Sequence, residues 1–322
     1  MTERGRDLRI YLPVYCIVLA AYVFAGWRSG NFFTWNNNVN LFSRVTPLIL
    51  AGLAQTLVIL TGGIDLSLGS MISVASVIAA SLPYVDTPAN LALWALVPPL
   101  AGLAMGCVNG LILAKWPFPP FIVTLASSSI YLGVALRIMR EPGGEVSLDA
   151  TWVSSGQYHG LPIPLVIMLA AVAISHLLLS RTRIGRSIYA LGGNETLAVQ
   201  SGISPGRVKF TVYALSGLFS GLAGTYLSAW MFAGDPLVGE PYVMNSIAVA
   251  VIGGTSLMGG RGGVVGVIGG AYIFYLINNI LNLLGINAFY QYVAKGAILI
   301  AALAASAPGL LRRLGLGRRR DG

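Results

Sequence analysis

Residues 44–83 read RVTPLILAGLAQTLVILTGGIDLSLGSMISVASVIAASLP, and this stretch decides the architecture. One apolar run closes at Thr61-Gly62-Gly63, a single acid follows at Asp65, and a second apolar run starts at once. A helix of about 20 apolar residues crosses the hydrocarbon core of a bilayer, so each run has nearly the length of a crossing. Glycine adopts the left-handed conformations that turn a chain sharply, so the glycine pair reads as the corner between two spans.

Working outward, similar runs occur at 10–27, 91–114, 121–139, 162–180, 207–230, 243–256, 264–284 and 292–311. With 44–62 and 66–83 they make ten candidate spans, of which 66–83 and 243–256 are the shortest in character. The expected fold class is an all-α integral membrane protein of about ten transmembrane helices, some short or broken, forming one domain over residues 1–322. Composition agrees: 56% of the 322 residues are hydrophobic, 40 more are glycine, and only 10% are charged. A soluble domain carries about a quarter charged residues, and a disordered chain has the opposite balance, so both classes are excluded. Arg4, Arg6 and Arg9 precede the first run as in a signal peptide, but no small-residue cleavage site follows, so it reads as a retained span.

The formal charge of +9 belongs to topology. With ten spans and the N-terminus inside, only Arg28, Arg44, Arg137, Arg140 and Lys295 fall outside, leaving 15 of the 20 lysines and arginines inside. This is the positive-inside bias, and it places both termini in the cytoplasm. A nucleic-acid partner is not expected, because the basic residues sit only between apolar stretches and assemble no basic and aromatic face. Membrane lipid is the expected surroundings. Cys16 and Cys107 lie in apolar runs without metal-type spacing and read as small core residues.

Glycine carries the packing. Gly102, Gly106 and Gly110 repeat every four residues, as do Gly262, Gly266 and Gly270, with Gly217 and Gly221 as a further pair, so these helices are expected to approach closely. Gly62 and Gly63 form one structural motif with Asp65, which suits an N-cap of the next helix; the functional alternative is a proton or ion site. Gly253 and Gly254 open a second glycine-rich break at 252–263, and the two breaks suggest an internal repeat. Neither holds the lysine of a phosphate-cradling GxxxxGK[ST] loop, so no ATP site is expected on this chain.

The longest hydrophilic inside segment, 181–206, has complete helix punctuation. Asn194 can cap, Glu195 sits at the positive end, Gly202 can close a short helix, and Ser204-Pro205 starts the next one. A short capped helix of this kind reads as a docking element. At membrane depth Gln55, Asn109, Ser127, Ser128, Asn245, Asn278 and Asn279 could line a polar path or hydrogen-bond between helices. A catalytic role is not expected: His159 falls in the outer loop 140–161, no serine lies in a GxSxG elbow, and His176 reads as a hydrogen-bonded residue of a span.

Five segments carry a family resemblance: TGGIDLSLGS at 61–70, NGLILAKWPFPPFIVTLA at 109–126, TRIGRSIYALGGNETLAVQSGI at 182–203, VIGGTSLMGGRGGVVG at 251–266 and NNILNLLG at 278–285. In this order they resemble the permease subunit of ribose-type monosaccharide ABC importers. The resemblance implies a bacterial inner-membrane permease with no catalytic residues of its own. Its implied partners are an ABC ATPase subunit that uses ATP and Mg, a periplasmic sugar-binding protein, and a second permease copy or paralogue. It also implies that Gly193, Asn194, Glu195, Ala198, Gly202 and Ile203 couple to the ATPase. Glu141, Glu145, Asp149, Asp235 and Glu240 would then face the binding protein.

The chain departs from the family where ribose-type permeases read GYELDAIAA. Here Pro241-Tyr242-Val243-Met244-Asn245-Ser246-Ile247-Ala248 puts Val243 and Asn245 in place of two acids. Ala126 stands where the family has glycine before the serine cluster, and a usual Leu-Arg-Gly turn reads Tyr131-Leu132-Gly133. These changes point to a sugar or polyol other than ribose and leave homodimer and heterodimer open. The alternatives are an ABC permease for a nucleoside, autoinducer or amino acid, and, in a different class, an ion-coupled secondary transporter or channel. The last would need ionisable residues facing each other at mid-membrane, and only Asp65 and Lys295 offer themselves.

Overall fold

The computed structural model describes residues 3–28, 32–83, 87–283, 285–287, 289–290, 293, 296–297 and 300. Its helices are α1 (Glu3–Arg28), α2 (Trp35–Leu60), α3 (Leu68–Ser81), α4 (Pro88–Lys115), α5 (Pro120–Ile138), α6 (Leu148–Ser155), α7 (Ile163–Arg181), α8 (Arg183–Gly193), α9 (Glu195–Gln200), α10 (Pro205–Met231), α11 (Glu240–Ile252) and α12 (Val265–Leu283). A two-stranded antiparallel hairpin, β1 (Gln157–Tyr158) and β2 (Leu161–Pro162), lies between α6 and α7. Nine of the ten expected spans coincide with helices. The tenth, with Lys295, falls almost wholly outside the described residues.

Local chemistry sets the helix starts. Thr34 and Thr87 accept from amides in the first turns of α2 and α4, and proline opens α4, α5 and α10, where a missing amide proton costs nothing. Five helices, α2, α4, α5, α7 and α10, are long and apolar enough to cross a membrane. α2 is the central post, buried continuously from Val45 to Leu60. α4 and α10 pack backbone to backbone. A methyl on Gly102 would stand 2.4 Å from the Gly217 carbonyl oxygen, and one on Gly106 would stand 2.3 Å from that of Tyr213. Glycine therefore serves here as the expected contact surface between helices. In the other repeat only Gly266 and Gly270 do this, against Gly253 and Val249. Gly262 precedes α12 and has φ +118°, so it is a turn residue.

The spans read at 66–83 and 243–256 are not full-length helices. α3 has 14 residues and α11 has 13, each about 20 Å long against a hydrocarbon core of about 30 Å. Each is preceded by turns and irregular chain, at 61–67 and 232–239, packed against α10 and α3. Before α3, Gly63 lies against the Tyr213 side chain, Asp65 meets Ser216, and Ile72 reaches Gly224, so the segment climbs α10 before and after it becomes helical. Before α11, Gly234 packs on Ala80 and Gly239 on Gly69, so the chain descends α3 by 11 residues, about 16 Å. Backbone of this irregular kind is tolerated at membrane depth only where protein covers it.

Three further readings change. The outer loop 140–161 is largely structured, with α6 burying Ala150, Thr151 and Ser154 and a bridge joining Gly143 to Gly234. The hydrophilic segment 181–206 holds two helices, α8 and α9, where the punctuation had indicated one. Cys16 is exposed on α1, and His176 is exposed on α7.

Candidate functional site

The two short helices, α3 and α11, start at the same place. Gly69, the second residue of α3, and Gly239, just before α11, touch so closely that a methyl on Gly239 would lie 1.8 Å from the Gly69 carbonyl oxygen. Two helix N-termini, each the positive end of its dipole, therefore adjoin inside the bundle. Ser73 Oγ accepts from the Gly239 amide at 3.0 Å and fixes the register.

Asp65 sits beneath α3 and is completely buried. It is not the cap residue, since the helix begins at Leu68 behind Ser67. Its Oδ1 instead accepts from the Ser67 amide at 3.0 Å and from Ser67 Oγ at 2.6 Å, while Oδ2 accepts from Ser216 Oγ at 2.8 Å. Ser67 Oγ in turn accepts from Asn109 Nδ2 at 2.8 Å, and Tyr131 donates to Asn109 Oδ1 at 3.1 Å. One hydrogen-bonded chain thus ties the start of α3 to α4, α5 and α10. Every group contacting the carboxylate is a donor, which is the arrangement an acceptor-only group requires. Among the described residues the one salt bridge is Lys209–Glu195, so none of their cations pairs with Asp65.

A second constellation lies at the end of the bundle where α2, α8 and α11 finish. α8 starts behind Thr182, whose Oγ1 accepts from the Gly185 amide at 3.1 Å, and it buries Ile188 and Leu191. Asn194 then caps α9, accepting from the Leu197 amide at 3.0 Å. Gly202, at φ +80°, closes α9 with Ile203 N–H to Ala198 O and Gly202 N–H to Val199 O. This paired-bond closure recurs at both glycine breaks. Gly63 and Gly62 donate to Val58 and Ile59, and Thr255 and Gly254 donate to Ala250 and Val251. The likeness read between the two breaks therefore extends to their hydrogen bonds.

At this end three backbones meet with no side chains between them. Gly260 donates to the Leu60 carbonyl at 3.0 Å, and Gly192 is wedged beside both. A methyl on Gly192 would stand 1.8 Å from the Leu60 oxygen and 2.6 Å from the Gly260 nitrogen. Tyr189 Oη donates to the Gly262 carbonyl at 2.9 Å and adds a fourth stitch. The α8–α9 element is thereby joined to the end of α2 and to the 253–264 loop.

The expected site residues separate on this frame. Gly193, Asn194 and Glu195 are exposed, with Glu195 paired to Lys209 at 2.9 Å. Ala198 is buried and Ile203 packs on the core, so both anchor α9 from beneath. The outward apolar side chains are Leu197 and Val199, which the cap pattern did not single out. Of the polar residues, Asn109 belongs to the Asp65 chain and Ser127 is buried on α5. Gln55 is wholly buried with neither amide atom hydrogen-bonded, whereas Ser128, Asn245 and Asn279 are partly exposed. The side chain of Asn278 lies outside the described residues. The acids Glu141, Glu145, Asp149 and Glu240 are exposed, and the Gly143–Gly234 bridge brings the turn of Glu141 and Glu145 beside that of Asp235.

Five helices long and apolar enough to cross a membrane, with two shorter apolar helices entered through irregular chain, make this a multi-pass membrane protein. Comparison with known proteins makes this particular. Residues 37–303 match the family described as branched-chain amino acid transport system / permease component, and the chain belongs to that family. It is 38% identical over 282 residues to the ribose import permease protein of Escherichia coli K12, covering 85% of this chain and 87% of that protein. The ribose import permease protein of Bacillus subtilis 168 is 38% identical over 271 residues, covering 83% of each chain. The D-allose transport system permease protein of E. coli K12 is 33% identical over 299 residues, covering 91% of this chain and 90% of that one. No solved structure matches the chain.

Proposed function

We propose that the chain is the membrane-spanning subunit of an ATP-driven monosaccharide or polyol importer. The observation that carries the reading is the α8–α9 element, which exposes Leu197 and Val199 while a direct backbone contact at Gly192 and the buried Ile188 and Leu191 seat it on the bundle. A helix capped at both ends and mounted this way transmits a push from a docked ATPase. The end that bears it also exposes Lys115, Arg181, Arg183, Arg186, Arg207 and Arg261, which supports a cytoplasmic orientation. Ten crossings with both termini cytoplasmic follow, in the inner membrane of a bacterium.

The partners are two ATPase cassettes, which hold the ATP and Mg, a second permease copy or paralogue, and a periplasmic binding protein received by the acidic turns at the opposite end. Closure of the cassettes and docking of the binding protein bias one two-state permease, so each alters the affinity of the other. The path is lined by the partly exposed Ser128, Asn245 and Asn279 beside the paired starts of α3 and α11, while Asn109 holds the frame. The sugar class rests on the named substrates of the relatives, and the family description supports an amino-acid solute as the second reading.

The test is reconstitution with the cognate ATPase and binding protein in liposomes, after a thermal-shift screen of the binding protein against sugars, polyols, nucleosides and amino acids. Uptake of a sugar or polyol that depends on ATP and on both partners is the expected result. Stabilisation by amino acids or nucleosides alone, or uptake driven by an ion gradient without ATPase, would overturn it.

A further inference from the structure

Met258 is 87% exposed, more than any other large apolar side chain among the described residues. It does not dangle from a slack loop. The Ser256 amide donates to the Arg261 carbonyl and the Gly259 amide to the Ser256 carbonyl, both at 3.0 Å, and Ser256 Oγ accepts from the Met258 amide at 3.3 Å. Gly254, Gly259, Gly260 and Gly262 all take positive φ, which lets the loop fold back on itself. Gly260 is then pinned to Leu60, and Gly259 and Gly260 lie on Gly192 and Gly193. A fixed backbone thus holds one apolar side chain out from the bundle. It immediately precedes the contact with α8, at the end that presents Leu197 and Val199.

The chemistry around it is basic. Arg261 is exposed three residues after Met258, Arg183 and Arg186 are exposed on α8, and among the described residues none of them is in a salt bridge. A partner that meets this face gains by offering carboxylates around an apolar hollow. We propose that the Ser256–Arg261 loop is a second contact point for the ATPase that docks at α8–α9, with Met258 entering an apolar pocket and Arg261 facing an acidic rim. The inference rests on the docking reading and extends it from one helix to a two-point footing. Because the two points share the Gly192–Gly260 junction, the ATPase grips them as one rigid body.

The test uses the complete complex of permease, ATPase and binding protein in nanodiscs, with Cys16 and Cys107 replaced by serine. Met258→Cys and, separately, Leu197→Cys are labelled with a benzophenone maleimide, illuminated, and their adducts identified by mass spectrometry. Both sites are expected to yield ATPase adducts, and Met258→Asp is expected to weaken ATPase retention about tenfold while Met258→Leu preserves it. An adduct from Leu197→Cys with only lipid or no adduct from Met258→Cys overturns this inference and leaves the α9 docking reading standing. Absence of ATPase adducts at both sites overturns the two together.

Discussion

Gly192→Ala tests the junction that holds α8 to the end of α2. The added methyl would sit 1.8 Å from the Leu60 carbonyl oxygen and 2.6 Å from the Gly260 nitrogen, both backbone atoms that cannot rotate away. Ordinary contact needs about 3.5 Å, so α8 must part from α2 by roughly 1.5 Å. That separation strains the packing by about 1–3 kcal/mol and weakens the Gly260–Leu60 hydrogen bond, worth about 1 kcal/mol. Alanine's better helix propensity returns about 0.5–1 kcal/mol, leaving a net loss of about 2 kcal/mol. The adjoining Gly193 is a built-in control, because a methyl there meets nothing within 4 Å. Gly193→Ala should be neutral or slightly stabilising. Thermal unfolding of the purified permease, followed by tryptophan fluorescence in one detergent, compares the two. In the assembled importer, Gly192→Ala should also lower the stimulation of ATP hydrolysis by loaded binding protein. If Gly192→Ala melts at or above the temperature of Gly193→Ala, the three-backbone contact is not what holds α8, and the reasoning fails.

Two other outcomes follow from particular contacts. Ser216→Ala removes the partner of Asp65 Oδ2 and should destabilise the permease by about 1–3 kcal/mol, the cost of leaving a buried polar atom unsatisfied. Ser220→Ala, one turn further on, loses only a bond to its own helix and should change the melting temperature far less; equal shifts would refute the role given to the Asp65 chain. Glu195→Arg breaks an exposed pair with Lys209 worth about 0–1 kcal/mol, so the fold should persist while ATPase association measured by co-purification falls. Undiminished association would place the docking surface elsewhere.

The long apolar helices were legible because apolar length is a one-dimensional signal, and the caps of α9 were legible because Asn194, Gly202 and Pro205 each act on their own neighbours. What sequence did not disclose is tertiary. The glycines at 102 and 106 announced a close approach, but their partners Gly217 and Tyr213 lie on a helix more than a hundred residues away. Asp65 looked like a cap because it precedes a helix closely; its second carboxylate oxygen is claimed by Ser216, and no local rule anticipates that bond. α8 was missed because its apolar residues, Ile184, Ile188 and Leu191, are diluted by arginines and serine, although their spacing and Thr182 carry the signal of a helix. The inward turn of Ala198 and the outward turn of Leu197 depend on how α9 is rolled against the bundle, which burial alone reveals.

The meeting of Leu60, Gly192 and Gly260 contains no ionisable group and no side chain. Its hold is therefore indifferent to ionic strength and proton concentration, whereas the arginine-bearing face around it is screened by salt over about 8–10 Å. On the proposed docking, raising salt is expected to strip the ATPase from that face while the junction beneath it keeps α8 on the end of α2.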